Sequence, residues 1–294
     1  MGVVLIGNGL LRTSVDSSCD KIIDDAKKAS GCAINNDILK GLPFPQRIVV
    51  ASKDNVNEDV KRIARELDAQ SNNDKLNDLI REVMTIPTDT IISTNYSFEI
   101  EKCVYGKFTR NMHWEKRGWT KDEISNKEKK THLYEYISLE LDQYNKKIWH
   151  IHGNAHCPSA IVFGHYYYGK LISEIIHYVA QFIKNYKTAQ KKGYSYEKKS
   201  WVDCFLLEDV YIFGFGLDIS EIDLWWLICC KKRNFPETKV FYYTDYLEQN
   251  KEKLTLLEAH GVDIIFKSKS DGYDSYYRDV ISDIHNKIRD KEGK

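Results

Sequence analysis

Short apolar runs bounded by polar or glycine residues recur along this chain at 3–6, 47–51, 89–93, 147–151, 160–163, 209–213, 238–243 and 262–266. Each is rich in β-branched or aromatic residues and too brief for a helix, so each predicts a strand. Between them the spacing turns helical. Val60, Ile63, Ala64 and Leu67 share one stripe of 59–67,. Residues 221–232 form a helix candidate with Ser220 as N-cap, and 247–260 one that stops at Gly261,. Residues 276–288 read as an amphipathic final helix. Strands alternating with helices predict an α/β, Rossmann-like fold: a mostly parallel sheet with helices on both faces.

Two stretches depart from this rhythm. Residues 101–146 and 169–200 are polar, lysine-rich and without a clear strand, and the second carries an apolar face from Leu171 to Ile183. Both are expected to be helical insertions, with a cap beside the site as one role. The five prolines are scattered, so no proline-rich linker divides the chain. The expectation is one domain over 1–294.

Composition narrows the class. Forty-three basic against 43 acidic residues leave no net charge, which argues against a protein built to coat nucleic acid or an anionic membrane,. The hydrophobic fraction of 42% suits a packed core,. Seven cysteines without a Cys-x-x-Cys pair argue against a disulfide framework and a zinc ribbon, so no metal is expected,. No leader and no run of about 20 apolar residues is evident, and a cytoplasmic location is expected,.

Four strand-like runs end in chemistry. Gly7-Asn8-Gly9 follows 3–6, Thr94-Asn95 follows 89–93, His150-Ile151-His152-Gly153 spans the end of 147–151, and Gly214-Phe215-Gly216-Leu217-Asp218 follows 209–213. In a parallel α/β sheet such carboxyl ends meet along one edge, where ligands bind. Glycine loops there let backbone approach a diphosphate, with the next helix N-terminus favouring its charge. They can equally be tight turns, the more so because the third glycine of Gly-x-Gly-x-x-Gly is Arg12.

The side chains carry the same ambiguity. Asn95 can hold a ribose hydroxyl or a water, or serve as a turn residue. His152, beside Gly153, can reach a ligand and move a proton near neutral pH, or be a core histidine, the reading kept for His150. The two histidines are not expected to share a metal. Asp218 can bond a ribose or close a turn, and Asp223 can complement the helix dipole. Leu224 to Cys230 is apolar all round, which marks a buried or interfacial helix,.

Together, Gly7-Asn8-Gly9, Thr94-Asn95, His152-Gly153 and Gly214-Phe215-Gly216-Leu217 resemble the sirtuin-like superfamily of NAD-consuming enzymes, over roughly residues 3–266. The match is nearest to bacterial sirtuin-like proteins of anti-phage defence. AbiH abortive-infection proteins, with a similar glycine loop, Ile-His-Gly and late Ile-Phe-Gly, compete for the assignment. The resemblance implies hydrolysis of NAD+ to nicotinamide and ADP-ribose, with His152 and Asn95 catalytic. It also implies that Gly7, Asn8, Gly9, Leu10, Thr94, Gly214, Phe215, Gly216, Leu217 and Asp218 hold the dinucleotide. Paired cysteine motifs of the deacylases are missing, and Leu11 stands where a Ser is expected. The resemblance further implies a gated homo-oligomer, working with a HerA-type translocase ATPase or a phage-derived activator. For such an assembly, Trp225, Trp226 and the 171–183 helix offer contact surface, and Tyr166-Tyr167-Tyr168 a flap over the site. A non-catalytic NAD+ or ADP-ribose sensor and a metal-dependent nuclease are the alternatives. The nuclease needs converging carboxylates, where the strand ends offer Asn and His.

Overall fold

A computed structural model describes residues 2–13, 18–53, 62–66, 68–69, 74–105, 114–116, 133, 135–141, 144–155, 161–246 and 250–292. Its centre is one eight-stranded sheet. The strands are β1 Gly2–Ile6, β2 Thr90–Ser93, β3 Trp114–Lys116, β4 Glu135–Leu141, β5 Tyr144–His150, β6 Asp209–Phe213, β7 Val240–Thr244 and β8 Val262–Phe266. Across the sheet they run β3-β4-β5-β2-β1-β6-β7-β8. The six from β5 to β8 are parallel, and β3 and β4 add an antiparallel edge. Taken alone in chain order, the parallel strands lie as 3-2-1-4-5-6, the doubly wound order whose switch point falls between β1 and β6,.

Burial explains the apolar runs. Val3 and Leu5 pack into one core with Trp149, Val210 and Ile212, while Val4 and Ile6 pack into the other with Ile91, Ile148 and Phe213. A strand covered on both faces needs no polar alternation. Helices α6 His165–Lys191, α7 Trp201–Leu207, α8 Ile222–Asn234 and α9 Lys251–Ala259 cover the first face. Helices α4 Asp74–Thr85 and α10 Gly272–Glu292 cover the second, with Leu76, Leu79, Ile80, Val83, Val280, Ile284 and Ile288 inward. Helices α1 Cys19–Ser30, α2 Asn36–Leu39 and α3 Phe44–Ala51 build a third, smaller core with Ala155, Ile161 and Phe163. The α/β Rossmann-like expectation is met.

Several local expectations are overturned. Residues 47–51 are helical, the end of α3, because Pro43 and Pro45 start a helix there and its turns bury Ile48 and Ala51,. The Ile-Val-Val run misleads because packing outranks β-branched propensity. Residues 161–163 are buried but form no strand. The stretch 101–146 is not a helical insertion. After α5 Glu99–Tyr105 its described strand residues form β3, β4 and the start of β5, and Ile137, Leu139 and Leu141 show the period-2 signal within a polar stretch,. Residues 106–113 and 117–132 lie outside the described residues.

The stretch 169–200 is largely helix α6, yet it is core: Leu171, Ile175, Val179 and Phe182 are buried against the sheet. Of the 59–67 helix, 62–66 are helical and 59–61 and 67 lie outside the described residues. The last three expected helices exist with shifted ends, residues 247–249 being outside the described set. Ser220 does not cap α8, whose N-cap is Glu221 without a side-chain bond. Among the described residues no helix is long and apolar enough to cross a membrane.

Candidate functional site

A cleft of about 430 Å³ opens along the carboxyl edge of the parallel strands. That size suits a small-molecule ligand. Its floor at the switch point is made by the loops after β1 and β6, with Asn8, Gly9, Gly214, Phe215, Gly216, Leu217 and Asp218 on its lining. At the β2 and β5 end stand Thr94, Asn95, Tyr96, Ser97, His152 and Phe163. At the β7 end stand Tyr242, Tyr243, Thr244, Lys253, Lys269, Tyr273, Tyr276 and Tyr277. Ser18, Ile22 and Phe44 reach in from α1 and α3, so those helices form the cap that the sequence assigned to other segments.

The two glycine loops cross each other. The Gly9 amide donates to the Gly214 carbonyl at 2.5 Å and the Gly7 amide to the Phe213 carbonyl at 3.3 Å. A Cβ on Gly7 would lie 2.6 Å from Phe215 Cβ, and one on Gly9 would lie 2.6 Å from the Gly214 carbonyl oxygen. Gly214 itself has φ +62°. The crossing therefore demands these glycines whether or not a phosphate lies above them. Two expected ligand residues sit back from the cleft. Gly7 supports it through its carbonyl, and Leu10 is buried in the core beneath. Asp218 takes both the amide and the hydroxyl of Ser220 on Oδ1, the turn chemistry weighed for it, while lining the cleft.

Asn95 follows the end of β2 and is 4% exposed. Its Nδ2 donates to Glu99 Oε1 at 2.6 Å and toward the Gly7 carbonyl at 3.4 Å. Two pure acceptors fix the orientation of the carboxamide. Its Oδ1 is left with no hydrogen-bond partner among the described residues. Glu99 also accepts from Ser97 Oγ at 2.7 Å. Burial raises the Glu99 carboxyl above its ordinary range, against the lowering effect of those two bonds.

His152 lies two residues beyond β5, in the turn that closes the strand, and is 3% exposed. Its Nε2 is 2.9 Å from Asp223 Oδ2 and 4.0 Å from Glu221 Oε2. Its ring meets Tyr168 edge-on at 5.4 Å, and the Tyr168 hydroxyl donates to Glu221 Oε2 at 2.9 Å. Burial opposes the imidazolium, but the charge and hydrogen bond of Asp223, with Glu221 behind, outweigh it and hold His152 above the ordinary histidine value. Burial likewise raises Glu221, against the lowering pull of His152. An ionised Asp223 only accepts, so the neutral imidazole donates from Nε2 and keeps Nδ1 as its basic nitrogen.

His150 points elsewhere. Its Nδ1 meets the Asn95 carbonyl at 3.0 Å and its Nε2 meets Glu101 Oε1 at 2.9 Å, away from the cleft. It is the core histidine expected.

The structure thus gathers Asn95, His152 and both glycine loops at one cleft. It adds Asp223, Glu221 and Glu99, none of which the sequence reading placed at the chemistry, and sets Tyr168 of the expected tyrosine flap on the lining. Asp223 lies 71 residues from His152, and its place in the first turn of α8 offered only the dipole reading. The set also changes the argument about carboxylates. His152, Glu221 and Asp223 offer ligand atoms within 4.8 Å of one another, so carboxylates do converge here.

Fold and site define an α/β protein of Rossmann strand order with a histidine–carboxylate pair in its switch-point cleft. Neither a family model nor a curated protein matches the sequence.

Proposed function

We propose that this chain is an NAD+ glycohydrolase. The observation that carries the reading is the His152–Asp223 pair, 2.9 Å apart, whose histidine lines the switch-point cleft that also holds Asn95 while Asp223 is buried behind it. The nicotinamide–ribose bond breaks with its electron pair going to the ring nitrogen, so nicotinamide leaves neutral and needs no acid. Water adds to the ribose carbon, and His152 Nδ1 takes its proton, giving ADP-ribose. Asp223 orients the imidazole and stabilises the imidazolium. Asn95 Oδ1 accepts from the water or a ribose hydroxyl, held in aim by Glu99,. Glu221 and Asp223 give this end of the cleft an acidic character that favours a cationic nicotinamide ring and the cationic ribose of the transition state.

Purified protein incubated with NAD+ should release nicotinamide and ADP-ribose in equal amounts by liquid chromatography. Absence of both products at high enzyme concentration would remove this reading. In the cell, the reading extends to NAD+ depletion in anti-phage defence by a gated homo-oligomer, with a HerA-type ATPase or a phage component as activator.

A second reading rests on the His152, Glu221 and Asp223 cluster, which fits a divalent cation and a metal-assisted hydrolase,. Chelation separates the two: the glycohydrolase keeps its rate in EDTA, and the metal hydrolase loses it and regains it on manganese or magnesium addition.

A further inference from the structure

The cleft has a second end that the proposed hydrolysis does not use. It lies at the carboxyl end of β7, where Lys269, Arg12, Tyr276 and Tyr277 converge on the lining. The Lys269 ammonium sits 4.9 Å from the Tyr276 ring centre and 5.4 Å from that of Tyr273. Neither Lys269 nor Arg12 has an ion pair among the described residues. Burial lowers Lys269 below the ordinary lysine value; Asp245 opposes this, and the nearby positive charge of Arg12 adds to it. Two like charges facing one cleft without a carboxylate in contact favour an anion between them.

A second, independent feature points the same way. Tyr276 and Tyr277 are each 2% exposed, yet neither hydroxyl has a hydrogen bond among the described residues. Both residues line the cleft, and the Tyr277 hydroxyl lies 2.7 Å from where a Gly9 Cβ would be, beside the glycine crossing. Their rings are buried while the hydroxyls open to the cleft, free to donate to a bound oxyanion,. By contrast, the Tyr242 hydroxyl alongside is already bonded to the Phe215 carbonyl at 2.9 Å.

Position selects the kind of anion. His152 follows β5, and β5 and β7 are separated by β2, β1 and β6. Four strand spacings amount to about 19 Å. A dinucleotide whose glycosidic bond lies at His152 crosses the glycine loops with its diphosphate and brings its adenosine half to β7. We infer that Lys269, Arg12, Tyr276 and Tyr277 form a subsite for a phosphate monoester on the adenosine half of the ligand. The cleft therefore prefers NADP+ to NAD+. The chemical class rests on the proposed dinucleotide reading, but the binding does not require turnover.

The test is binding by calorimetry of NAD+, NADP+, 5′-AMP, adenosine 2′,5′-bisphosphate and inorganic phosphate. Parental protein is compared with Lys269→Ala and with Arg12→Ala, their folding checked by circular dichroism. The bisphosphate should bind at least tenfold tighter than 5′-AMP, and NADP+ tighter than NAD+ by a similar factor. In Lys269→Ala both ratios should fall towards one. Equal affinities in the parental protein would overturn the subsite. So would a Lys269→Ala loss that is the same for NAD+ and NADP+, which would assign the lysine to the diphosphate. Inorganic phosphate displacing the bisphosphate at equal concentration would also overturn it, in favour of a free-phosphate site. If the ratios hold but no nicotinamide is released from either dinucleotide, the subsite stands and the glycohydrolase reading falls.

Discussion

Two histidines, two residues apart, each meet a buried carboxylate at 2.9 Å, and the two pairs lead to opposite roles. His150 ends β5 and turns toward Glu101 of α5, where it packs against Phe98 and bonds the Asn95 backbone. Both of its nitrogens are occupied, and none of this pair lines the cleft. His152 leaves the strand in a turn and meets Asp223 at the start of α8, with a ring nitrogen to spare and the cleft beside it. A histidine–carboxylate pair is therefore not in itself a catalytic device. The spare nitrogen and the adjoining cavity make the difference.

Substitution of each histidine should separate the pairs most sharply. His152→Ala should lower NAD+ turnover by about 10²–10⁴-fold, the usual contribution of a positioned base, while the fold persists by circular dichroism. Parental turnover in that variant would make His152 structural. His150→Ala strands a buried Glu101 carboxylate and should cost about 3–5 kcal/mol in urea unfolding. Its turnover should fall only with the folded fraction, and a loss of activity in fully folded protein would break the comparison.

The pH dependences are finer tests. His152 is held above the ordinary value of about 6.5, so its base form accumulates only as pH rises through that raised value,. Turnover should therefore rise along a limb above pH 6.5 or so, and Asp223→Asn should move the limb to lower pH. A limb unmoved by that change would detach Asp223 from the chemistry.

The smallest effect concerns His150. Burial lowers it, but Glu101 and the Asn95 carbonyl more than compensate and raise it to about 8. Its folded value exceeds its unfolded one, so its stabilisation is complete below about pH 6.5 and fades as pH rises through about 8,. Urea unfolding at pH 6 and pH 9 should show that decline in the parental protein and a weaker one in His150→Gln.

Much of the frame was legible because it is written in local patterns. Runs such as Val3–Ile6 and Val210–Phe213 read as strands covered on both faces, and their ends carried Asn8, Asn95 and His152 to one edge. Where pattern and packing conflicted, packing prevailed. Ile48-Val49-Val50 became helix because its neighbours offered a small core to bury one side of a helical turn. Ile137, Leu139 and Leu141 became a strand inside a polar stretch that hid their alternation.

The sequence by itself thus determined the class of fold, the strand ends that meet and the candidate base and carboxamide, because hydrophobic periodicity and glycine placement act over a few residues. Only the tertiary structure decided what those residues touch. It paired His152 with Asp223 across 71 positions, turned Asn95 by Glu99, crossed the two glycine loops and set the unpaired Arg12 and Lys269 at the far end. Charge and hydrogen-bond partners depend on distance in space, and the strand order that sets this distance is not a property of any one segment.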